Sequence, residues 1–394
     1  MMPTVETLPP PDQVAKQRSD ALSARILRAC QQQGGSIAFS DYMRMALYEP
    51  VNGYYSSGSP ILGQAGDFIT APEVSPLFSR CIARQISQVF QQTAVARVLE
   101  FGAGSGVMAV DILLELERLR ALPDNYAIIE LSAELRERQQ RTIRERAAHL
   151  FTRVSWLDDL PRASIGAVVV ANEVLDAMPV ECFRINHDSV ERLRIVAQND
   201  RLRMVYTEAD EAFVEQVRAT ERRRGKAFAH GYCSEFNPML QAWLASLHAL
   251  LSEGLVLLID YGYPVSEYYL DERDSGTLIC HYRHRAHADP LWYPGLQDIT
   301  AFVDFSAVAD AAVDLGFEVG GFASQAMFLM GCGLADYYQA EVNDDPRQQL
   351  VLSQQIKTLT LSSEMGERFK AMALTSNVDL PLIGFALQDL SNRL

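Results

Sequence analysis

The most restrictive feature of the sequence is an apolar run that ends in three closely spaced glycines. Residues 94–101 (AVARVLEF) are largely apolar and β-branched, which is typical of a buried parallel strand. Gly102, Gly104 and Gly106 follow, and a periodic apolar pattern over 107–119 then predicts a helix. This order of strand, tight turn and helix marks the place where a doubly wound sheet binds its ligand. Glycine is needed there because the backbone must adopt strained dihedrals and let a ligand come close.

The spacing of the glycines and the charge beside them restrict the ligand. A dinucleotide fingerprint has its third glycine three residues after the second, and here that position is Val107. The predicted strand ends in Glu100, whose carboxylate would repel a pyrophosphate and attract a sulfonium cation that carries a free amino group. The stretch therefore favours S-adenosylmethionine over NAD. A glycine-rich turn without a ligand is the alternative, because isolated glycine motifs are weak signals.

Composition limits the classes of function. The 394 residues suffice for about two domains, and 48% hydrophobic residues allow a sizeable core. A net charge of −15 argues against broad nucleic-acid binding and is compatible with a basic protein or peptide as partner. No apolar run approaches the roughly 18 residues of a membrane span, and the first residues resemble neither a signal peptide nor a transit peptide. The six cysteines form no Cys-x-x-Cys pair, so we expect reduced thiols and a cytoplasmic protein.

The remaining chain alternates strand and helix patterns. Further apolar strands are predicted at 126–130, 152–156, 166–171 and 254–262. This alternation predicts an α/β protein with a doubly wound, mostly parallel sheet and helices on both faces. Residues 181–210 alternate at period two instead, which predicts antiparallel β-hairpins. The predicted regions are a mobile tail (1–20), an N-terminal helical cap (21–93), a core (94–375) with an insertion at about 181–240, and a C-terminal tail (376–394).

Polar side chains follow several of the predicted strands, at the sheet edge where ligands bind. Glu130 ends the second strand and can accept both ribose hydroxyls of an adenosine. Asp158, after the third strand, can accept from the adenine amino group or cap a turn. Asn172, Glu173 and Asp176 directly follow the apolar fourth strand and form a candidate site. Helix capping by Asn172 beside a solvated Glu173 is the alternative.

Two long loops carry further candidates. Residues 49–73 are rich in glycine, proline and tyrosine, and long ordered loops are more often functional than idle. Residues 263–300 contain His281, His284 and His287, whose spacing suggests a metal site. Arginines between these histidines would repel a cation, so we expect no metal there. The loop then either lines a polar cleft or lies on the surface.

Five separated motifs together resemble the MidA family of class I methyltransferases. They are residues 66–73 (GDFITAPE), the Glu-x-Gly-x-Gly-x-Gly turn, 172–180 (NEVLDAMPV), 260–262 (DYG) and 298–305 (DITAFVDF). The resemblance covers roughly residues 20–375 and departs from the pattern of many relatives at Ala103, where they have proline. It implies a seven-stranded sheet, S-adenosylmethionine as cofactor and a protein as substrate.

The resemblance also implies a kind of acceptor. The mitochondrial member of the family methylates arginine on a respiratory-complex subunit, so such a subunit or another basic segment is the expected partner. A guanidinium stays protonated at neutral pH, so carboxylates must hold it and accept its proton. Glu173 and Asp176 are the predicted catalytic residues, since positions three apart share a face of a helix. Asp67 would close over the site, and Asn172 would contact the cofactor.

Other classes of function stay open from the sequence alone. A methyltransferase acting on a small molecule has the same cofactor motifs. A cofactor-binding assembly factor without essential catalysis is a second alternative, and an NAD-dependent oxidoreductase is disfavoured by the position of the third glycine. The edge strands of the insertion are also compatible with a homodimer.

Overall fold

The structure is a computed structural model that describes residues 8–56 and 70–394. The chain divides into two compact units. Unit 1 consists of Met1–Phe68, Asp176–Leu240 and Tyr263–Asp304, and unit 2 consists of Ile69–Leu175, Gln241–Gly262 and Phe305–Leu394.

The helices and strands of the described residues are named in chain order. The helices are α1 (Gln13–Gln32), α2 (Phe39–Tyr48), α3 (Ala71–Val74), α4 (Pro76–Gln92), α5 (Val107–Arg118), α6 (Ala133–Arg146), α7 (Glu211–Arg224), α8 (Leu240–Leu250), α9 (Val265–Tyr268), α10 (Phe305–Leu315), α11 (Gln325–Gly331), α12 (Leu334–Glu341), α13 (Pro346–Thr360) and α14 (Met365–Arg368). The strands are β1 (Ser36–Ala38), β2 (Arg97–Phe101), β3 (Asn125–Ile129), β4 (Val154–Leu157), β5 (Ile165–Asn172), β6 (Glu181–Asn186), β7 (Ser189–Gln198), β8 (Arg201–Glu208), β9 (Cys233–Phe236), β10 (Leu251–Tyr263), β11 (Ile279–Tyr282), β12 (Arg285–His287), β13 (Asp298–Thr300), β14 (Val303–Asp304), β15 (Glu318–Ser324) and β16 (Phe369–Ser376).

Unit 2 is built on a mostly parallel sheet, which confirms the predicted α/β class. Its strands lie in the order β15-β16-β10-β5-β2-β3-β4. The neighbours from β10 to β4 pair in parallel, and β16 is antiparallel to both β10 and β15. From β2 the chain continues outward to β3 and β4, whereas from β5 it continues in the opposite direction to β10. The chain therefore reverses its direction across the sheet at the neighbouring strands β2 and β5. This is the topological switch point, where open sheets of this type bind ligands.

The central strands of unit 2 are apolar because helices cover both faces of a parallel sheet. Residues 255–259 of β10 and 167–170 of β5 are completely buried. Helix α4 contributes Leu77, Phe78 and Ile82 to the same core cluster, so it belongs to unit 2 rather than to the helical cap predicted over 21–93.

The prediction of a C-terminal tail over 376–394 is wrong for the middle part of this segment. Leu382 and Phe385 are buried in the core cluster of unit 2, and short 3-10 helices lie at Ile383–Phe385 and Ser391–Arg393. The apolar side chains of this segment cover β15, where the ring of Phe385 lies against Gly321. Burial of those side chains, which outweighs the cost of ordering the chain, explains the difference.

Unit 1 contains the antiparallel hairpins that the period-two alternation predicts. Its largest sheet has the order β1-β7-β6-β9, and β8 pairs with β7. Helix α1 begins at Gln13, so part of the tail predicted over 1–20 is helical. The Oδ1 atom of Asp12 accepts a hydrogen bond of 2.8 Å from the backbone N of Ala15, which caps this helix.

The second long loop predicted over 263–300 contains ordered secondary structure. Strands β12, β11 and β13 form an antiparallel sheet in which Cys280 pairs with both His287 and Ile299. Cys280 and Ile299 are completely buried in the core cluster of unit 1. These strands have three or four residues each, so they are too short to be identified by a period-two pattern. The described part of the chain has no helix long and apolar enough to span a bilayer.

Replacement of Leu257 by alanine should destabilise unit 2 strongly. Leu257 lies in β10 between Val170 of β5 and Ala373 of β16, and it is completely buried. We expect the free energy of unfolding to fall by about 2–5 kcal/mol, because the truncation leaves a cavity. Denaturant titration measures the change, with Val313→Ala as control, since Val313 is 57% exposed. Equal effects of the two substitutions would contradict this description of the core.

Candidate active site

The glycine turn between β2 and α5 has the strained backbone that its sequence predicts. Gly102, Gly104 and Gly106 have φ angles of +61°, +53° and +83°. The backbone N of Gly102 donates to the carbonyl O of Ile129 at 3.0 Å, which ties the turn to β3. A Cβ atom at Gly106 would lie 3.0 Å from the Cα atom of Gln139. The turn therefore excludes side chains both by its dihedrals and by its packing against α6.

Helix α6 fixes the turn through Gln139, a residue that the sequence analysis missed. The Nε2 atom of Gln139 donates to the carbonyl O of Gly104 at 3.1 Å and to Oε2 of Glu130 at 2.9 Å. Its Oε1 atom accepts from Nε1 of Trp156 at 2.9 Å. Gln139 is completely buried, so these bonds satisfy an amide that would otherwise be costly to bury. A glutamine in a polar helical stretch (RERQQR) gives no sequence signal of this role.

The end of the first long loop is also attached to the turn. The Oγ atom of Ser105 donates to Oε1 of Glu73, which lies in α3 and is the last residue of the 66–73 motif. The carbonyl O of Ser105 accepts from Oγ1 of Thr142 at 2.8 Å. Helices α3 and α6 thus both bond to the turn, and a single serine joins them.

Glu100 is a completely buried carboxyl group in β2. Its Oε2 atom accepts from the hydroxyl of Tyr126 at 2.7 Å, whereas Oε1 has no partner among the described residues. Burial raises the pKa of Glu100 to about 8, the bond from Tyr126 opposes this shift, and the charge of Glu130 adds to it. The group is therefore mostly protonated at neutral pH, and a cation beside it would favour the carboxylate that the sequence predicts.

Glu130 and Asp158 follow β3 and β4 and have different surroundings. Glu130 is 7% exposed, and its Oε1 atom accepts from the backbone N of Ser132 at 2.9 Å. Burial raises the pKa of Glu130, while the bonds from Ser132 and Gln139 oppose the shift. The exposed carboxylate of Asp158 accepts from Nη2 of Arg136 at 2.9 Å. Glu130 therefore lies in a fixed, desolvated position, and Asp158 lies at the surface.

Asn172 and Glu173 lie where β5 ends, beside the switch point. Asn172 is 8% exposed, and its Oδ1 atom has no partner among the described residues. Its Nδ2 atom donates to Oε1 of Glu173 at 3.3 Å. Glu173 has a φ of +51°, and its backbone N donates to the carbonyl O of Ile259 at 2.9 Å. A left-handed conformation is unfavourable for glutamate and persists only where the surroundings impose it.

The expectation that Glu173 and Asp176 share a helical face is wrong. The described residues 173–180 form turns and extended chain with no helix. The backbone N of Leu175 donates to Oδ2 of Asp260 at 3.0 Å, so the segment bonds to β10 instead of to itself. Pro179 also disfavours continuation of a helix. Asn172 consequently caps no helix, which removes the alternative interpretation of this residue.

The remaining predicted residues belong to unit 1 or lie outside the described residues. Asp176 begins the second segment of unit 1, where it is buried and its carbonyl O accepts from the backbone N of Ala301 at 3.0 Å. Asp67 lies outside the described residues. His281, His284 and His287 lie in or beside the β11–β12 hairpin, and no group of metal-binding side chains is found within 8–56 and 70–394.

Residues at the ends of β2, β3 and β5 form a consistent ligand site in unit 2. The ends of these neighbouring strands carry the glycine turn, Glu130 and Asn172, and Glu100 lies one residue before the end of β2. Two buried oxygen atoms, Oε1 of Glu100 and Oδ1 of Asn172, lack partners among the described residues. Oδ1 of Asn172 is an acceptor, and so is Oε1 of Glu100 in its carboxylate form, so they suit a ligand with a cationic amino group and hydroxyl or N–H donors.

A family model for S-adenosyl-L-methionine-dependent methyltransferases matches residues 81–323. The chain belongs to this family. The match confirms the resemblance to MidA-type methyltransferases that the five motifs indicated, and S-adenosylmethionine is the cofactor.

Solved structures and curated proteins agree with this assignment. A likely methyl transferase from Burkholderia thailandensis, crystallised with S-adenosyl-homocysteine, is 41% identical with a TM-score of 0.93, over 98% of this chain and 100% of the other. The protein arginine methyltransferase NDUFAF7, mitochondrial, of Danio rerio is 27% identical over 88% of this chain and 85% of its own. The Mus musculus protein of the same name is 29% identical over 86% and 81%.

Replacement of Glu100 by glutamine should change how the stability of the methyltransferase depends on pH. The pKa of Glu100 is about 8 in the folded state against an ordinary value of 4.5. Its protonated form therefore stabilises the fold fully below about pH 4.5, and this contribution is lost as the pH rises towards 8. Between these values the wild type should lose about 1.4 kcal/mol per pH unit relative to the variant.

Urea denaturation of both proteins at about pH 5, 6.5 and 8 measures this difference. The prediction concerns the cofactor-free protein, because a bound cation would lower the pKa of Glu100. A difference in free energy of unfolding that stays constant across this range would show that Glu100 is ionised in the folded state.

Proposed function

We propose that this methyltransferase transfers a methyl group to the guanidinium of arginine in a protein. The relatives from Danio rerio and Mus musculus are named protein arginine methyltransferases, and the chain aligns with most of their length. The observation on this chain that carries the proposal is Glu173. Its backbone has a left-handed conformation directly after Asn172, and its side chain is a carboxylate. Arginine stays protonated at neutral pH, so its methylation needs a carboxylate to bind the guanidinium and accept a proton.

The proposed cofactor contacts are the residues at the strand ends of unit 2. S-adenosylmethionine supplies the methyl group when it is bound. Glu100 and Asn172 offer buried acceptor atoms that have no partner among the described residues, and such atoms are rarely left unused. Glu130 is proposed to accept from the ribose hydroxyls, and Asp158 from the adenine amino group. The backbone of the glycine turn leaves room for close approach.

The proposed catalytic residues are Glu173, Asp176 and Asp67. Glu173 holds the guanidinium by paired hydrogen bonds and accepts the proton that leaves the nitrogen. A bound cofactor would supply the methyl group to that nitrogen, with its sulfur as the leaving group. Asp176 and Asp67 supply further negative charge for the cationic acceptor. The main task of these groups is alignment, since the transfer is an in-line displacement.

Replacement of Glu173 by glutamine should abolish turnover and leave cofactor binding within a few-fold of the wild type. Glutamine keeps the size of the side chain but neither binds a guanidinium as an anion nor accepts its proton. We expect the transfer rate to fall by about 100-fold or more. Tritiated S-adenosylmethionine and a lysate of cells that lack this protein provide the assay, and mass spectrometry of the labelled band identifies the modified residue.

Glu318→Gln is the matched control, because Glu318 is an exposed carboxylate at the start of β15. Wild-type turnover in Glu173→Gln would rule out the proposed role of Glu173. Label on a residue other than arginine, or on a small molecule alone, would rule out the proposed substrate class.

Binding of S-adenosylhomocysteine should release a proton near neutral pH. Glu100 has a pKa of about 8 in the free protein, and the ammonium group of the ligand would lower that pKa and favour the carboxylate. Affinity should therefore increase as the pH rises from about 6 to about 8. Calorimetry in two buffers of different ionisation enthalpy counts the released proton. Glu100→Gln should abolish the release, and an unchanged release in that variant would assign the proton to another group.

The proposed partner is a basic segment of another protein, such as a subunit of a respiratory complex. The net charge of −15 supports attraction of a basic segment. The cytoplasmic location and the homodimer expected from the sequence stay predictions. The curated relatives are named as mitochondrial proteins, so cell fractionation with an antibody to this chain is the direct test of location.

A further inference from the structure

We propose that a cluster on strand β13 of unit 1 binds the guanidinium group of the acceptor protein. The cluster consists of Asp298 and Thr300 of β13, Tyr55, and His281 of β11, and is called the β13 cluster below. This inference rests on the proposed function, because it names the part of the chain that recognises the arginine side chain. It assigns a role to the 298–305 motif, which the cofactor site leaves unexplained.

Asp298 is a buried carboxylate held by a tyrosine from the first loop. It is 3% exposed, and its Oδ1 atom accepts from the hydroxyl of Tyr55 at 2.9 Å. The ring of Tyr55 stacks on that of Tyr48 at a centroid distance of 5.4 Å and an interplanar angle of 24°. Burial, and then the charge of Asp298, raises the pKa of Tyr55 well above its usual range, so the hydroxyl stays a donor. The carboxylate therefore has a fixed orientation.

Thr300 supplies an independent sign of a ligand. It lies two residues after Asp298, so both side chains are on the same face of β13. Thr300 is 1% exposed, and its Oγ1 atom has no hydrogen-bond partner among the described residues. A buried hydroxyl without a partner costs free energy, and such groups in native proteins commonly mark a ligand or a functional site. An N–H donor placed against this face would satisfy the hydroxyl.

His281 is the cross-strand neighbour of Asp298. It pairs directly with Asp298 in the ladder between β11 and β13, which brings both side chains to the same face. Burial, and then the charge of His287, lowers the pKa of His281, so the imidazole is neutral at physiological pH. A neutral imidazole adds no positive charge beside Asp298. His281 and Tyr55 are partly exposed, whereas Asp298 and Thr300 are buried.

The cluster lies next to a residue that the proposed mechanism uses. The carbonyl O of Asp176 accepts from the backbone N of Ala301, which directly follows β13. The charge of Asp176 also contributes to the raised pKa of Tyr55. The predicted catalytic carboxylate of unit 1 and the β13 cluster are thus close enough to act on one cation.

The chemistry of the cluster favours a guanidinium over other ligands. A carboxylate offers about four acceptor positions, and the threonine hydroxyl adds further acceptor capacity. Guanidinium is a planar cation with five N–H donors, and pairs of these donors match the two oxygen atoms of a carboxylate. The planar group also stacks on tyrosine rings. An anion would be repelled by Asp298, and a compact ammonium would use fewer of these acceptors.

Binding of model amino-acid amides tests the assignment. The probes are Nα-acetyl-arginine amide, its neutral analogue Nα-acetyl-citrulline amide, and Nα-acetyl-lysine amide, titrated by NMR into the full chain saturated with S-adenosylhomocysteine. We expect the arginine amide to bind at least about tenfold more tightly than the citrulline amide, because the charge-assisted bonds to Asp298 require a cation. Equal binding of the arginine and citrulline amides, no binding of the arginine amide, or a preference for the lysine amide would overturn the proposal.

Substitutions locate the site. Asp298→Asn should weaken binding of the arginine amide by about tenfold or more, and Thr300→Val by about threefold or more, with the affinity for S-adenosylhomocysteine unchanged. Thr300→Val keeps the size of the side chain and removes an unsatisfied buried hydroxyl, so it should fold even if Asp298→Asn does not. The controls are Asp274→Asn and Thr207→Val, which change exposed residues of unit 1. Arginine-amide binding like that of the wild type in a folded Asp298→Asn protein, or in Thr300→Val, would show that Asp298 and Tyr55 only hold the loop to β13.

The outcomes separate this inference from the proposed function. Acid hydrolysis of the labelled acceptor protein reports whether methylarginine is formed at all. Methylarginine formed by the wild type and by Asp298→Asn at equal rates would overturn the role of the β13 cluster and leave the proposed function intact. Absence of methylarginine from the wild-type product would instead reject the proposed function.

Discussion

The parallel pairing of β2 with β5 is the constraint on which the architecture of unit 2 depends. Val98 to Phe101 pair with Val168 to Ala171, and both strands are buried on their two faces. Because the chain leaves these strands in opposite directions, the crossover helices separate there and open the sheet edge to a ligand. The pairing of β2 with β5 therefore places the polar groups of that edge, from the glycine turn to Glu173, side by side.

The buried carboxyl groups of the cofactor site lower the free energy of unfolding of the cofactor-free protein. Glu100 and Glu130 are both buried near the ends of adjacent strands, and burial raises the pKa of each. Burial of a carboxylate without a cation is unfavourable, so the free protein keeps a proton on Glu100 near neutral pH. A cationic cofactor offsets this cost when it binds. The same residue thus links stability, pH and affinity for the cofactor.

Much of unit 2 was predictable because its elements are long and strongly patterned. The apolar runs of β2, β5 and β10, the glycine turn after β2 and the helix that follows it all have signals that come from local geometry. The hairpins of unit 1 were predictable for the same reason, since β6, β7 and β8 alternate over six to ten residues.

Features that depend on contacts distant in sequence were not predictable. The β11–β13 sheet has strands too short for a pattern and is stabilised by burial of Cys280 and Ile299. Residues 173–176 form no helix because their backbone bonds to β10. Gln139 acts through the tertiary position of α6, which composition does not reveal. Sequence patterns therefore identified the polar residues at the strand ends. The structure was needed to find the hydrogen-bond partners that fix their positions.

A crystal structure of this chain with S-adenosylhomocysteine would test the central claim most directly. The claim is that the buried acceptors of Glu100 and Asn172 are completed by the cofactor. We expect Oε1 of Glu100 and Oδ1 of Asn172 each to lie within about 3.2 Å of a donor atom, either on the ligand or on one water that bridges to it. A complex in which both oxygen atoms remain without a partner, with the ligand bound away from the end of β2, would contradict the claim.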